Sequence, residues 1–436
     1  MKTVVIAVLA TALLAGCSYS VHGKAGVSTR LDPTTVAGLA ITTGPSGLRR
    51  GAPVPNRQAE NTDRGAPDRL AASAVADVEE YWWEQFPPQF GKDFEPVRRL
   101  VSYDSAGKKL QLCGRHTTAF YCPGDDLVAW DRGELLLSFD DITTAALLAH
   151  EMGHAVQARL GANGDAPPIV KEQQADCFAG NYFRWVAEGK SRRFELSTGP
   201  GLNQVLATLP AIRDSAGPHG TAFDRVAAFE LGFAEDPHRC AQIDAEELEK
   251  RGTHKVFGEG DQPRGNPWVD DQRALQDLRA SLAAAFPGSQ VRFEDSCGLT
   301  VPASYCPTGI VSVDVPALLR LSQLGDFAAF GAIASRYAVA VQDAAELPIE
   351  GLVAGQRTAC LTGRWASTVV RGRGGALELS PNDLDDAIVE LLSHDSLIAG
   401  DANGATIPSG FARVEAFRDG FLNSAADTCE TRYPAT

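Results

Sequence analysis

The chain has 436 residues and a formal net charge of −15 at pH 7. This acidity argues against a nucleic acid as a partner, because an acidic surface is repelled by the phosphate backbone. The length beyond a polar N-terminal stretch is sufficient for two domains of ordinary size.

The first segment, residues 1–16, has one early lysine followed by an apolar run over 4–14. The run is too short to cross a bilayer as a permanent helix, so it predicts a cleaved export signal. It ends in L-A-G-C, which resembles a bacterial lipobox whose cysteine, here Cys17, carries the lipid. We therefore expect anchoring to the cell membrane on its extracytoplasmic face. A plain secretory signal is the alternative.

Residues 17–70 are rich in Gly, Pro, Thr and Arg and have no apolar period. Such a composition buries too little apolar surface to offset the entropy of ordering. The segment is therefore predicted to be a flexible tether between the lipid and the folded part.

The next informative stretch, residues 143–157, is predicted to be a helix. Asp140 or Asp141 is the expected N-cap, and Gly161 lies just past the end, where glycine commonly terminates helices. Within this helix lies the motif H-E-x-x-H.

The motif has the spacing of a zinc site. His150 and His154 lie one helical turn apart and can present their imidazoles to one ion, with Glu151 beside them as the base. Zn²⁺ usually takes a third protein ligand, for which Glu172 is the candidate. Asp176, one turn further on, is positioned to accept the outer N–H of a ligand histidine. The alternative is an amphipathic helix with two solvated histidines.

Landmarks of residues 71–255 recur in the same order in residues 270–436. The matched positions are Cys113, Cys122, Gln173, Cys177, Gly180, Phe223, Arg225, Phe233 and Cys240, which correspond to Cys297, Cys306, Gln356, Cys360, Gly363, Phe411, Arg413, Phe421 and Cys429. We interpret this order as a duplicated domain.

The second copy lacks every candidate catalytic position. His150, Glu151, His154, Glu172 and Asp176 correspond to Ser335, Arg336, Val339, Gly355 and Ala359. Residues needed only for packing would not be lost together as a set. The second copy is therefore predicted to be a degenerate domain without a metal site.

The nine cysteines are consistent with export, because one is assigned to lipid and eight remain. The repeated layout suggests the pairs Cys113–Cys122, Cys177–Cys240, Cys297–Cys306 and Cys360–Cys429. Other connectivities stay open, because the sequence does not show Cα distances.

A family resemblance rests on three motifs: F-Y-C-P at 120–123, H-E-M-G-H-A-V-Q at 150–157 and E-Q-Q-A-D-C-F-A-G at 172–180. With these motifs and the downstream pair His219-Gly220, the chain resembles the bacterial neutral zinc metallopeptidases. The resemblance implies a gluzincin-type zincin and a mainly helical α+β fold in two tandem domains, the second without the metal site. Only 17 residues separate His154 from Glu172, which is short for such a family.

The resemblance implies zinc-dependent hydrolysis of peptide bonds in envelope or extracellular polypeptides. His150, His154 and Glu172 are then the zinc ligands, and Glu151 is the general base. His219 is expected to stabilise the oxyanion, with an exposed loop histidine as the alternative. The alternative function is a non-catalytic binding or scaffold lipoprotein of the envelope built on the same fold.

Overall fold

The structure is a computed structural model, and its architecture is mainly helical with small sheets, in agreement with the α+β prediction. It describes residues 31–107, 113, 118–161, 166–211, 220–251, 266–289, 291–294, 302–307, 309–370, 377–379, 381–423 and 425–435. Within these ranges, no helix combines the length and apolar character that a bilayer crossing requires.

The first half, residues 66–251, contains α1 (Ala66–Phe90), α2 (Arg132–Ser138), α3 (Asp141–Leu160), α4 (Pro168–Ala187), α5 (Pro200–Thr208), α6 (Ala222–Ala234), α7 (Pro237–Ala241) and α8 (Ala245–Arg251). The second half, residues 266–435, contains α9 (Gln272–Ala285), α10 (Val315–Leu321), α11 (Asp326–Ala344), α12 (Leu352–Thr368), α13 (Pro381–Leu392), α14 (Gly410–Leu422) and α15 (Thr428–Arg432). The strands are β1 (Thr35–Val36), β2 (Leu39–Ala40), β3 (Gly47–Leu48), β4 (Arg99–Tyr103), β5 (Ala119–Cys122), β6 (Leu127–Asp131), β7 (Phe194–Glu195), β8 (Arg292–Glu294), β9 (Ala303–Cys306) and β10 (Ile310–Val313).

Each half has a three-stranded sheet of the same topology. In the first half the order is β4–β6–β5, with β6 parallel to β4 and antiparallel to β5. In the second half the order is β8–β10–β9, again with one parallel and one antiparallel pairing. The segment between the two halves, residues 252–265, lies outside the described residues.

Helix α3 is the centre of the first half, because it is buried on nearly all sides between α1, α4, α5 and β5. Its approach to α4 requires a glycine. A Cβ added at Gly153 would lie 2.8 Å from the Cα of Ala175, closer than real Cβ contacts allow. The glycine inside the H-E-x-x-H motif thus lets the two helices that carry the candidate ligands touch through their backbones.

Helices α4 and α6 also cross in direct backbone contact. A Cβ at Gly180 would overlap the carbonyl oxygen of Phe229, and a Cβ at Gly232 would overlap that of Cys177. Glycines in α12 and α14 have the same reciprocal arrangement. Gly363 faces the carbonyl of Phe417, and Gly420 faces that of Cys360.

Residues 31–64, which the composition predicts as part of a flexible tether, lie against both halves; we call this segment the N-terminal strap. Leu31 donates its N–H to Glu415 of α14, and Thr42 pairs with Thr198 of the first half. Strand β3 of the strap pairs with β7. The tether prediction relied on composition and the lack of an apolar period, whereas this segment is held by hydrogen bonds of its backbone and hydroxyl groups and by the burial of Val36.

Candidate metal centre

Helix α3 has the bounds that its capping residues predict. Asp140 accepts the backbone N–H of Thr143 at 3.0 Å, and the Thr143 hydroxyl accepts the N–H of Asp140 at 2.8 Å. Gly161 ends the helix with a φ of +76°, a left-handed conformation that glycine adopts without steric cost. These caps hold the register that places the motif on one face of the helix.

The structure brings the three predicted ligands together. The Nε2 atoms of His150 and His154 lie 3.2 Å and 3.6 Å from Oε2 of Glu172. Ligand atoms of the three side chains lie within 4.8 Å of one another, as one metal ion requires. His150 is buried, whereas His154 and Glu172 are partly exposed, so the group lies at the edge of solvent. Two imidazoles and one carboxylate form the donor set of a catalytic zinc site with an open position.

His150 is oriented by two buried charged groups. Its Nδ1 lies 2.8 Å from Oδ1 of Asp176, so Nδ1–H donates to the carboxylate and Nε2 is directed at Glu172. Arg225 in turn holds Asp176 through two hydrogen bonds, of 2.8 Å from Nε and 2.7 Å from Nη2. The Asp176 position agrees with the role that its spacing suggests. No local spacing predicts the role of Arg225, because its contact with Asp176 spans 49 residues.

His154 is oriented by a neutral partner. Its Nδ1 lies 3.0 Å from Oε1 of Gln157, one turn further along α3. The Gln157 amide nitrogen donates to the carbonyl of Lys171 and to Oε1 of Gln174, which turns its oxygen towards the histidine. The spacing of three residues could have revealed Gln157, since residues i and i+3 are neighbours on a helix.

The candidate base Glu151 lies between the ligands and the sheet. Its Oε2 accepts the backbone N–H of Tyr121, in β5, at 3.0 Å. Tyr121 is held by its hydroxyl, which donates to Asp126, and Arg159 binds both groups. The carboxylate of the base is therefore fixed by a backbone group that sequence motifs do not reveal.

Burial and charge act in opposite directions on His150 and Asp176. Burial lowers the pKa of His150, but the Asp176 carboxylate and the hydrogen bonds that the imidazole donates to Asp176 and Glu172 raise it to about 10. Burial raises the pKa of Asp176, yet Arg225 and His150 together hold it below its usual value. Metal binding requires a neutral imidazole, so zinc would displace the proton of His150.

Comparison with known proteins identifies the family. A family model described as "Putative neutral zinc metallopeptidase" matches residues 14–242, which are 229 of the 436 residues. The chain belongs to this family. The relatives include "Uncharacterized protein YpfJ" of Escherichia coli strain K12 and the protein of the same name from Escherichia coli O6:H1. Each is 30% identical over 237 residues, covering 45% of this chain and 79% of the relative. No solved structure matches significantly.

Disulfides lie close to the candidate metal centre in the sequence, at residues next to Asp176 and Tyr121. Cys177–Cys240 joins α4 to α7 with a Cα separation of 5.5 Å, and Cys113–Cys122 ties residue 113 to the end of β5. In the second half, Cys360–Cys429 has a Cα separation of 5.6 Å. These are three of the four pairs that the cysteine layout suggests.

Three other predicted positions lie outside the described residues: Cys17, His219 and Cys297. The proposed lipid, the oxyanion role and the Cys297–Cys306 pair therefore stay predictions.

Buried groups fill the region of the second half that the sequence correspondence matches with the candidate metal centre. Arg336, which the predicted sequence correspondence matches with Glu151, is buried and donates to the carbonyls of Leu397, Gly400 and Asp401. A Cβ at Gly355, which the same correspondence matches with Glu172, would lie 3.1 Å from the carbonyl oxygen of Ala399. The carbonyl groups of residues 397–401 therefore lie close to both matched positions. No metal-ligand group occurs in the described part of this half.

We expect Asp176→Asn to lower zinc affinity by about 10–100-fold, the usual cost of losing the outer partner of a ligand histidine. The amide accepts a weaker hydrogen bond from His150 and leaves the buried Arg225 charge uncompensated. Titration with a chromophoric chelator measures the affinity, and circular dichroism checks the fold.

A matched control for this variant is Asp401→Asn, which alters a buried carboxylate of the second half that accepts backbone N–H groups. It should leave zinc affinity unchanged. Equal zinc loss in both variants would show that Asp176 acts only through global stability.

Proposed function

We propose that this protein is a zinc-dependent metallopeptidase that hydrolyses peptide bonds of envelope or extracellular polypeptides. The observation that carries the proposal is the convergence of His150, His154 and Glu172 around one point, with Glu151 fixed beside it. Family membership supports the same activity.

The donor set fits zinc, because both histidines have Nδ1 bound to an outer partner and Nε2 near Glu172. A zinc ion at this point would supply a Lewis acid that polarises the scissile carbonyl and acidifies water.

The chain itself supplies the proton transfers. Glu151 accepts the proton of the attacking water and then delivers it to the nitrogen of the leaving amine. The N–H of Tyr121 keeps the Glu151 carboxylate in place for both transfers. Asp176 and Gln157 hold the histidine rings, so the site does not reorganise during the reaction.

The proposal extends to a duplicated chain whose second domain is degenerate. It is supported by the matched sheet topologies, the matched glycine contacts of α4–α6 and α12–α14, and the equivalent disulfides Cys177–Cys240 and Cys360–Cys429. It is supported further by the filled space around Arg336.

The proposal places the protein at the extracytoplasmic face of the cell membrane, anchored by lipid at Cys17 after removal of residues 1–16. The lipobox-like ending of the apolar run supports this location. The disulfides agree with it, because they persist in oxidising compartments.

The test is metal removal from the purified mature protein. We expect cleavage of a broad library of unfolded peptides, loss of that cleavage after dialysis against a chelator, and its return with one equivalent of zinc. Zinc binding without any cleavage would overturn the peptidase proposal and favour the envelope scaffold. Cleavage that survives complete metal removal would overturn the metal mechanism.

A further inference from the structure

The two halves contact each other through matched pairs of helices. Helices α5 and α6 of the first half pack against α13 and α14 of the second, and Gly410 of α14 lies against Asn203 of α5. In chain order α13 and α14 are the counterparts of α5 and α6, each pair following the helix that carries the matched cysteine. An interface to which both partners contribute the same surface patch is isologous, as in two-fold symmetric dimers.

The aromatic contacts in this interface are reciprocal. Phe223 of α6 lies 6.1 Å from Phe421 of α14, and Phe411 of α14 lies 5.7 Å from Phe233 of α6, measured between ring centroids. The sequence correspondence matches Phe223 with Phe411 and Phe233 with Phe421. The two contacts therefore join the same two matched positions, stacked in one case (interplanar angle 17°) and edge-on in the other (68°), as an approximate two-fold axis between the helices would produce.

Helix α6 also carries Arg225, the residue that supports the candidate metal centre. Arg225 lies two residues beyond Phe223, clamps Asp176, and donates through Nη1 to the carbonyl of Leu209 just after α5. Phe223 stacks on Phe417 of the second half at 5.5 Å with an interplanar angle of 9°. Helix α6 thus contacts the second half and the outer partner of His150 at positions two residues apart.

We propose that the second half is a built-in pseudo-subunit, which occupies the α5–α6 face and thereby holds Arg225 in place for metal binding by the first half. This proposal rests on the zinc site of the proposed function. In this proposal the degenerate half positions Arg225 through α6, and it neither catalyses a reaction nor contacts substrate itself.

The first test is zinc affinity in the full chain, measured by chelator competition. Phe421→Ala removes an interface ring from the second half and should weaken zinc binding by about tenfold, the lower range for a lost outer partner. Phe286→Ala is the matched control, because Phe286 is a buried ring of the same half that packs on Tyr337. It should lower the melting temperature while zinc affinity stays within about twofold, as expected for distant sites.

Normal zinc affinity in a folded Phe421→Ala variant, or equal weakening in Phe286→Ala, would overturn the proposal. If Phe421→Ala does not fold, Phe421→Leu retains an apolar side chain and should weaken zinc binding in the same direction. Unchanged affinity in that variant would also overturn it.

A second test does not depend on metal. The recognition sequence of a site-specific protease is inserted within 252–265, and the purified full chain is cut at that sequence. The two fragments should co-elute in native gel filtration, and their separation would overturn the pseudo-subunit. If the fragments co-elute but the wild-type protein binds no zinc, the result refutes the metal assignment of the proposed function instead.

Discussion

Replacing Glu151 with Gln yields a folded, zinc-binding protein whose peptide cleavage falls by about 10²–10⁴-fold or more, the usual contribution of a general base. Gln keeps the size of the side chain, and its carbonyl oxygen still accepts the N–H of Tyr121. The amide cannot take the proton of the attacking water. The ligands His150, His154 and Glu172 are unchanged, so zinc stays bound.

The measurement is kcat/KM on one cleaved peptide, with zinc content determined on the same sample. Glu390→Gln is the matched control, since Glu390 is a buried glutamate of the second half that also accepts a backbone N–H, that of Leu397. It should leave cleavage intact. Wild-type activity in Glu151→Gln would place the proton transfer at another residue.

Zinc binding itself should depend on all three ligands. We expect one zinc per chain in the wild type, because the donor set occurs in the first half and not in the described part of the second. Removing one of three donors takes about a third of a binding free energy of about 10–16 kcal/mol, or roughly 10²–10⁴ in affinity. His150→Ala, His154→Ala and Glu172→Ala should each show this loss.

Metal analysis by mass spectrometry gives the stoichiometry, and chelator competition gives the affinity. The control is His394→Ala, which removes an exposed histidine of the second half. Two zinc ions per chain, or unchanged zinc in the triple ligand variant, would refute the assignment.

Local regularities made the ligand set predictable from the sequence. The period of the α-helix places residues i and i+4 on one face, and this relation alone predicts the pairs His150–His154 and Glu172–Asp176. The capping chemistry of Asp140 and Gly161 predicts where α3 begins and ends. These inferences succeed because both the cause and the effect lie within a few residues of chain.

The strap shows where the same reasoning fails. Its low apolar content predicts a free tether, yet residues 31–64 pair with groups more than a hundred residues away, such as Thr198 and Glu415. Hydrogen bonds of short polar side chains leave no periodic pattern in a sequence. Their partners become visible only when the folded body brings them near.

Residue identity at short spacing was enough to predict the family, the candidate metal ligands and a second copy without them. Only the folded chain shows which groups hold the candidate site in place. Arg225 reaches Asp176 across 49 residues, and the N–H of Tyr121 reaches Glu151 across 30. The fold also places α6 against the second half close to Arg225, which holds Asp176. Such contacts depend on how helices cross, and helix crossing is set by the packing of whole surfaces.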